Sequence, residues 1–311
     1  MSAVFISVLI VLVYGLWQPT FFTSWSISNF FLHTPTPGKV NAVGVFSQDK
    51  PSKISSSSPE VDSLASGVYD VSSHLRLWSK NDDEVRSIAS LTKLMSALVF
   101  LEHRPEWNDI QKIEVSDNRE GNKANLFLGE QLTTDQLFQT ALIASDNTAI
   151  IALVRSTGLS EKDFVTEMNK KASQYRLKKT VFVEPTGLDK ENQSTVREVA
   201  KLAEIAFAKP EIKNALTKNS FEYTTITGRE KKIVSTNDLL RLPSIHGTSL
   251  LAGKTGHLPE AGYCFVGWFE NNGHEIITVV LGAPDTAARF TESAKLAAWS
   301  FKAFQWIHYK N

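Results

Sequence analysis

A serine and a lysine three residues apart, Ser90 and Lys93, stand at the start of an apolar stretch of this 311-residue chain. On a helix, side chains with this spacing share one face, so the hydroxyl and the amine can form a hydrogen bond. The free N–H groups and the dipole of a helix N-terminus also favour an anion beside the serine. A lysine in apolar surroundings must be paired or have its pKa lowered. These are the requirements of a lysine-activated serine nucleophile.

The element that positions this pair is a predicted helix over residues 88–102. Its apolar residues recur at steps of three and four, which is typical of a buried amphipathic helix; they are Leu91, Leu94, Met95, Leu98, Val99 and Leu101. The spacing alone is weak evidence, because a second Ser-x-x-Lys match occurs at 47–50. A serine at a helix start is also commonly only a cap.

A second polar group, Ser145-Asp146-Asn147, falls between two predicted apolar helices that end near residue 144 and begin at residue 148. The first of these helices starts at a capping box formed by Thr133 and Gln136. Polar side chains in such an elbow are partly buried and need hydrogen-bond partners. An identical triplet at 116–118 follows a predicted strand, and we interpret it as a surface turn.

A third group, Lys254-Thr255-Gly256-His257, precedes a predicted strand and holds the only Lys-Thr-Gly of the chain. Glycines at 253 and 256 let a strand edge approach a ligand closely, and the lysine offers a charge for a carboxylate. In isolation the same residues are also compatible with a strand-end turn and a solvated lysine.

Strands are predicted at both ends of the chain and helices in its middle. The predicted hairpins join 68–71 to 75–78, 223–227 to 231–234 and 263–269 to 276–281, and the predicted helices include 161–175, 195–208 and 290–301. This order indicates an α/β (α+β) fold in which one sheet is built from both ends of the domain, with an inserted helical lobe and a cleft between the two.

Composition excludes several other functions. Lys plus Arg equals Asp plus Glu at 33 each, and no basic run indicates a nucleic-acid partner. Cys264 is the only cysteine, so no internal disulfide can form, and we interpret it as part of the core. No histidine or cysteine pair has metal-ligand spacing, and no phosphate-binding loop occurs.

The amino terminus predicts export. Residues 3–17 are apolar apart from Ser7 and Tyr14, and residues 1–22 are predicted to be a membrane anchor or a signal segment. The lack of a small-x-small cleavage site favours an uncleaved anchor. The Ser- and Pro-rich residues 33–62 cannot bury a core, which predicts a flexible linker.

The order Ser-x-x-Lys, Ser-x-Asn, Lys-Thr-Gly is the signature of penicillin-binding proteins and class A β-lactamases. The chain resembles the serine-type D-alanyl-D-alanine carboxypeptidases of peptidase family S11, the low-molecular-mass penicillin-binding proteins, over residues 63–304. The resemblance also rests on Glu184-Pro185-Thr186-Gly187-Leu188-Asp189 and on Glu260-Ala261-Gly262-Tyr263-Cys264. It implies a β-lactamase/transpeptidase-like domain with an antiparallel sheet over residues 63–307.

The resemblance implies a role for each motif residue. Ser90 would be the nucleophile, Lys93 its general base as a neutral amine, Ser145 a proton carrier, and Asn147 a holder of Lys93 and the substrate. Lys254 and Thr255 would bind the terminal carboxylate next to Gly256, and the backbone N–H groups of Ser90 and His257 would form the oxyanion hole. No metal or cofactor is implied.

The expected activity is removal of the terminal D-alanine from peptidoglycan stem peptides that end in D-Ala-D-Ala, outside the cytoplasm, with β-lactams as covalent inhibitors. Two features differ from many members. Asp146 stands where they have glycine, and no C-terminal β-rich domain follows, so the N-terminal segment would provide any membrane attachment.

Three alternatives follow from the same residues. A cross-link D,D-endopeptidase shares all three motifs. A β-lactamase requires a deacylating carboxylate in a Glu-x-x-Leu-Asn pattern, and the region of Glu184 lacks that pattern. A non-enzymatic penicillin-sensing module would predict loss of Ser90, Lys93 or Lys254, all of which are present.

Overall fold

The computed structural model describes residues 50–55, 57–119, 125–242, 245 and 247–307. The predicted anchor or signal segment at 1–22 and the first part of the predicted linker lie outside these residues. Within the described ranges, no helix has both the length and the apolar character needed to span a membrane.

The centre of the fold is a five-stranded antiparallel sheet. Its strands are β2 (Ala65–Asp70), β3 (Arg76–Lys80), β10 (Ser249–Leu258), β11 (Gly262–Asn271) and β12 (His274–Ala283), in the order β10-β11-β12-β2-β3. Two strands therefore come from the N-terminal side of the domain and three from the C-terminal side, and the strands at the junction, β2 and β12, pair directly. This confirms the sheet predicted from both ends of the domain.

The remaining elements form the helical lobe, the flanking helix and short strand pairs. The helices are α1 (Lys93–Glu102), α2 (Thr134–Ile143), α3 (Asn147–Ser156), α4 (Glu161–Gln174), α5 (Val196–Phe207), α6 (Pro210–Leu216) and α7 (Thr286–Ala303). The short strands are β1 (Lys50–Lys53), β4 (Arg86–Ser87), β5 (Ile110–Lys112), β6 (Gln131–Thr133), β7 (Gln193–Ser194), β8 (Ser220–Thr224), β9 (Glu230–Val234) and β13 (Phe304–Ile307).

Both faces of the sheet are buried, and β12 shows how the sequence achieves this. Ile277 and Val279 belong to the core shared with the helical lobe, whereas Ile276 and Val280 belong to the core beneath α7. Successive side chains of a strand point to opposite faces, so a strand between two layers must be apolar throughout. The sheet is therefore a rigid support for whatever its edge strand, β10, presents.

Part of the predicted flexible linker is instead fixed to the domain. β1 pairs antiparallel with β13, and the backbone N–H of Ile54 donates to the carbonyl of Ala303 at 2.8 Å. Farther along, the N–H of Asp62 donates to the carboxylate of Glu292 on α7 at 3.0 Å. The structure differs from the prediction at residues 50–54 and at Asp62, because polar composition reports on side chains, whereas these contacts use the backbone.

The upstream triplet also differs from its prediction. It lies in a 3₁₀ turn over Val115–Asp117, and Ser116 and Asn118 are exposed as expected for a surface turn. Asp117, however, is fully buried and accepts two hydrogen bonds from Arg155, at 3.0 and 2.9 Å.

Candidate active site

The predicted nucleophile lies in a tight turn rather than in the first turn of a long helix. Residues Ala89–Thr92 form a 3₁₀ turn, and α1 begins only at Lys93. Ala89 has φ 47°, a left-handed conformation that costs a non-glycine residue on the order of 1 kcal/mol. Strain of this kind persists only where the surroundings enforce it, and here it sets the backbone immediately before Ser90.

Lys93 is completely buried, and its amine contacts oxygen atoms of Ser90, Asn147 and Thr186. Its Nζ lies 2.9 Å from Oγ of Ser90, 2.6 Å from Oδ1 of Asn147 and 2.6 Å from the carbonyl oxygen of Thr186. Burial lowers the pKa of Lys93 to about 7, against the opposing effect of nearby carboxylates. A neutral amine has two N–H donors, which suit the two carbonyl oxygens. Its lone pair is then left for the hydroxyl of Ser90.

The elbow between α2 and α3 brings the second motif to the same place. The capping box of Thr133 and Gln136 begins α2 as predicted. Ser145 adopts φ 57° between the helices. Asp146 is the N-cap of α3 and accepts a hydrogen bond from the N–H of Ala149 at 2.8 Å. Asp146 thus stabilises the helix start that aims Asn147 at Lys93.

Strand β10 supplies a second buried lysine. Nζ of Lys254 donates to Oγ of Ser145 at 2.7 Å and to the carbonyl of Thr255 at 2.9 Å. Burial, followed by the charges of Lys93 and Arg289, holds the pKa of Lys254 well below its usual value. The hydroxyl of Thr255 lies 2.6 Å from that of Thr236.

Two glycines let the site close up around Ser90. A Cβ on Gly256 would lie 3.1 Å from the backbone nitrogen of Ser90, and one on Gly187 would lie 2.1 Å from the carbonyl oxygen of Ala89. Gly187 also has φ +88°. No larger residue fits at position 187, and β10 passes directly beside the nucleophile turn. His257 follows on β10, exposed and stacked on Tyr263 with ring centroids 4.1 Å apart.

Sequence reasoning recognised the Glu184 segment but not its structural role. The carboxylate of Glu184 accepts hydrogen bonds from the N–H groups of Thr186 at 2.7 Å and Leu188 at 2.8 Å, and from Nδ2 of Asn192 at 2.6 Å. These bonds fix the turn whose Thr186 carbonyl receives Lys93. The carboxylate is therefore occupied within its own loop.

Arg289, on α7, was missed entirely. It is buried, donates to the carbonyl of Gly256 at 3.2 Å, and lies over the rings of Tyr263 and Phe290. Its Nε has no hydrogen-bond partner among the described residues, and burial lowers its pKa. Nothing in the local sequence distinguishes it from other helical arginines, so only tertiary packing reveals it.

Cys264 is one further titratable group for which the sequence made a prediction. Cys264 is buried in β11, where burial raises its pKa to about 11, consistent with the predicted core position. Among the described residues, no three His, Cys, Asp or Glu side chains cluster as metal ligands.

The amino-acid sequence matches a known protein family over most of the residues that form the domain. The family model described as D-alanyl-D-alanine carboxypeptidase matches residues 52–285. A D-alanyl-D-alanine endopeptidase of Haemophilus influenzae is 34% identical over 201 residues, which is 64% of this chain and 68% of that protein. The carboxypeptidase DacF of Bacillus subtilis is 31% identical over 242 residues, 74% of this chain and 59% of that protein.

A solved structure agrees with these sequence relatives. Penicillin-binding protein D2 from Listeria monocytogenes, in its cefotaxime-bound form, superposes with a TM-score of 0.67 at 32% identity, covering 79% of this chain and 99% of that one. The α/β penicillin-binding-protein fold inferred from the motifs is confirmed.

Proposed function

The chain belongs to the D-alanyl-D-alanine carboxypeptidase family, and we propose that it removes the terminal D-alanine from peptidoglycan stem peptides through an acyl-enzyme on Ser90. The observation that supports this most directly is the environment of Lys93. A buried amine with two carbonyl acceptors and one hydroxyl neighbour is arranged to act as a base toward that hydroxyl.

Acylation begins when Oγ of Ser90 attacks the carbonyl carbon of the penultimate D-alanine and its proton passes to Nζ of Lys93. The carbonyl oxygen gains the electron pair and accepts hydrogen bonds from the backbone N–H groups of Ser90 and His257. Preorganised donors of this kind stabilise the tetrahedral intermediate without reorganisation, which is why the close approach of β10 to the nucleophile turn matters.

Collapse of the intermediate breaks the peptide C–N bond. The leaving nitrogen takes a proton from the hydroxyl of Ser145, which lies 2.7 Å from Nζ of Lys254. The proton gained by Lys93 replaces the one that Ser145 gave up, so the proton count balances. In deacylation a water molecule gives a proton to Lys93 and attacks the ester carbonyl. The bond to Oγ of Ser90 then breaks, Lys93 returns the proton to Oγ, and the shortened peptide is released.

The terminal carboxylate binds where two cations lie buried. Lys254 and Arg289 have no ion-pair partner within the described part of the chain, and the positive charge of Arg289 contributes to the lowered pKa of Lys254. An anion placed between them and the hydroxyl of Thr255 relieves this repulsion. This arrangement accounts for a preference for peptides with a free C-terminus.

A cross-link D,D-endopeptidase is the second candidate, since the Haemophilus influenzae relative carries that name. When the cross-linked amine and a carboxylate share one carbon atom, the leaving group presents the same amine and carboxylate as D-alanine does. The carboxylate site described above then serves both reactions. A β-lactamase is disfavoured, because the Glu184 carboxylate is occupied by its own loop and is not placed to activate water.

We assign catalysis to residues 63–307 and β-lactam acylation to Ser90. The reaction takes place outside the cytoplasm, where peptidoglycan lies, with the apolar residues 3–17 providing export and membrane attachment.

The test is release of D-alanine from diacetyl-L-Lys-D-Ala-D-Ala by the full-length chain in detergent, beside Ser90→Ala. Release by the wild type and none by the variant is the expected result. A wild type that forms a penicillin adduct but releases no D-alanine would reject the carboxypeptidase assignment. Cleavage of a cross-linked muropeptide by the same preparation would then identify the endopeptidase.

A further inference from the structure

A pocket of about 310 Å³ opens beside the nucleophile turn and is used by none of the steps above. Its walls come from three separate segments: Arg86 and Ser87 on β4, Lys190 and Glu191 in the loop before β7, and Glu260 in the turn between β10 and β11. The pocket therefore combines two cations with two anions.

Each wall is the direct continuation of an element of the catalytic site. β4 pairs with β7 and leads through Ile88, whose N–H donates to the carbonyl of Asn192 at 3.1 Å, into the nucleophile turn. Lys190 directly follows the turn that holds Lys93. Glu260 stands three residues beyond His257. The pocket is thus held in register with Ser90 by the same backbone that positions the catalytic groups.

The direction of β10 shows which part of a substrate reaches the pocket. This step rests on the proposed function, in which the terminal carboxylate lies at Lys254 and Thr255 and the scissile carbonyl lies beside Gly256 and Ser90. A peptide that follows the strand edge from the carboxylate past the nucleophile continues toward residues 258–260. The residue that precedes the two D-alanines is therefore the one that meets the pocket.

The charges of the pocket are only partly satisfied. Nη1 of Arg86 pairs with Glu84 at 2.6 Å, but Nε of Arg86 and Oγ of Ser87 are buried without a hydrogen-bond partner in the described ranges. Lys190 and Glu260 are exposed and form no ion pair there. A buried donor without a partner is costly, so such atoms mark places where a ligand or water is expected.

We propose that this pocket selects stem peptides whose diamino acid ends in an ammonium and a carboxylate on the same carbon. Lys190 and the Arg86 side of the pocket receive the carboxylate, and Glu260 receives the ammonium. A diamino acid that ends in an ammonium alone, such as lysine, satisfies only the Glu260 side.

The test compares kcat/KM for three N-acetylated tripeptides that end in D-Ala-D-Ala and begin with meso-diaminopimelate, L-lysine or Nε-acetyl-L-lysine. We expect the diaminopimelate peptide to exceed the lysine peptide by about tenfold, because a charge-assisted contact to the carboxylate is gained. The lysine peptide should exceed its acetylated form by about threefold, the size typical of an exposed charge pair.

Variants assign the two contacts. Lys190→Gln should reduce the ratio of the diaminopimelate peptide to the lysine peptide to about threefold or less, and Lys190→Arg should retain it. Glu260→Gln should bring kcat/KM of the lysine peptide and of its acetylated form to the same value. Lys178→Gln, an exposed lysine outside the pocket, is the matched control and should leave both ratios unchanged.

Failure of this proposal is distinguishable from failure of the proposed function. Equal kcat/KM for all three peptides in an active enzyme overturns the pocket assignment alone. If no peptide is cleaved, the proposed function fails, and calorimetric binding of the peptides to Ser90→Ala still decides the pocket. A tighter Kd for the diaminopimelate peptide supports the assignment, whereas equal Kd values or no binding overturn it.

Discussion

The tripeptide Ser-Asp-Asn occurs twice in this chain, as the elbow triplet Ser145–Asn147 and as the upstream triplet Ser116–Asn118, and the two serve different purposes. In the elbow triplet all three residues are buried, and the serine and the asparagine contact Lys254 and Lys93. In the upstream triplet only the aspartate is buried, and it contacts Arg155.

The difference lies in which cation each triplet reaches: the elbow triplet contacts the buried Lys93 and Lys254, and the upstream triplet contacts the partly exposed Arg155. The elbow turns back between two apolar helices toward the cleft, whereas the 3₁₀ turn over 115–117 follows a short strand and faces α3. Even the two aspartates differ. Asp146 caps a helix that aims its neighbour, whereas Asp117 accepts a bidentate pair from an arginine. Identical sequence thus contacts two buried lysines in one place and a partly exposed arginine in the other.

Substitution of the two asparagines should give the largest difference in kcat/KM between the two triplets. Asn147→Ala removes an acceptor of Lys93, and we expect kcat/KM for D-alanine release to fall by about 10³-fold, on the order of 4 kcal/mol, as found when one active-site hydrogen-bonding group is removed. Asn118→Ala, at an exposed site, should stay within about twofold of wild type. A comparable loss in both variants would remove the distinction between the triplets.

The aspartates test the structural side of the comparison. Asp117→Ala leaves the cation of Arg155 without its buried partner, so the free energy of unfolding should fall by about 3 kcal/mol in urea titration. Turnover by the folded enzyme should stay within about twofold. The neighbouring exposed Ser116→Ala should change stability by less than about 0.5 kcal/mol. An unchanged midpoint for Asp117→Ala would show that its burial contributes nothing.

The serines should differ in turnover by a smaller factor. Ser145→Ala removes the proposed proton carrier, and we expect kcat/KM to fall by about 10²-fold, a typical contribution of general acid–base catalysis. Ser116→Ala should retain full activity in the same assay. If Ser145→Ala were fully active, proton delivery would have to come from Lys254 directly.

The smallest expected difference between the two triplets is the effect of their aspartates on the pH dependence of kcat/KM. Because Lys93 has its pKa lowered to about 7 and must be neutral to act as a base, kcat/KM should rise about tenfold per pH unit below 7 and level off above it. The Asp146 carboxylate raises the pKa of Lys93, so Asp146→Asn should move the midpoint to lower pH. Asp117→Asn should not move it. A midpoint unaffected by Asp146→Asn would contradict this coupling.

Much of the fold could be predicted because its signals are local. The capping box at Thr133, the hairpin around Asn272 and the helix ended before Pro210 all depend on residues within a few positions of one another. The same holds for the three catalytic motifs, whose order along the chain identified the family. Local patterns did not predict that residues 50–53 pair with β13 or that Asp62 donates to Glu292 on α7, because both contacts use the backbone of the segment.

By itself, the sequence determined which side chains are available for chemistry and the order of strands and helices, since hydrophobic periodicity and turn residues act over short distances. Only the tertiary structure decided which of two identical triplets meets the lysines, and that Arg289 lies behind Gly256. The contacts of Lys93 with Asn147 and of Lys254 with Ser145 join residues 54 and 109 positions apart. Contacts at such separations arise from packing of the whole core, which no local pattern encodes.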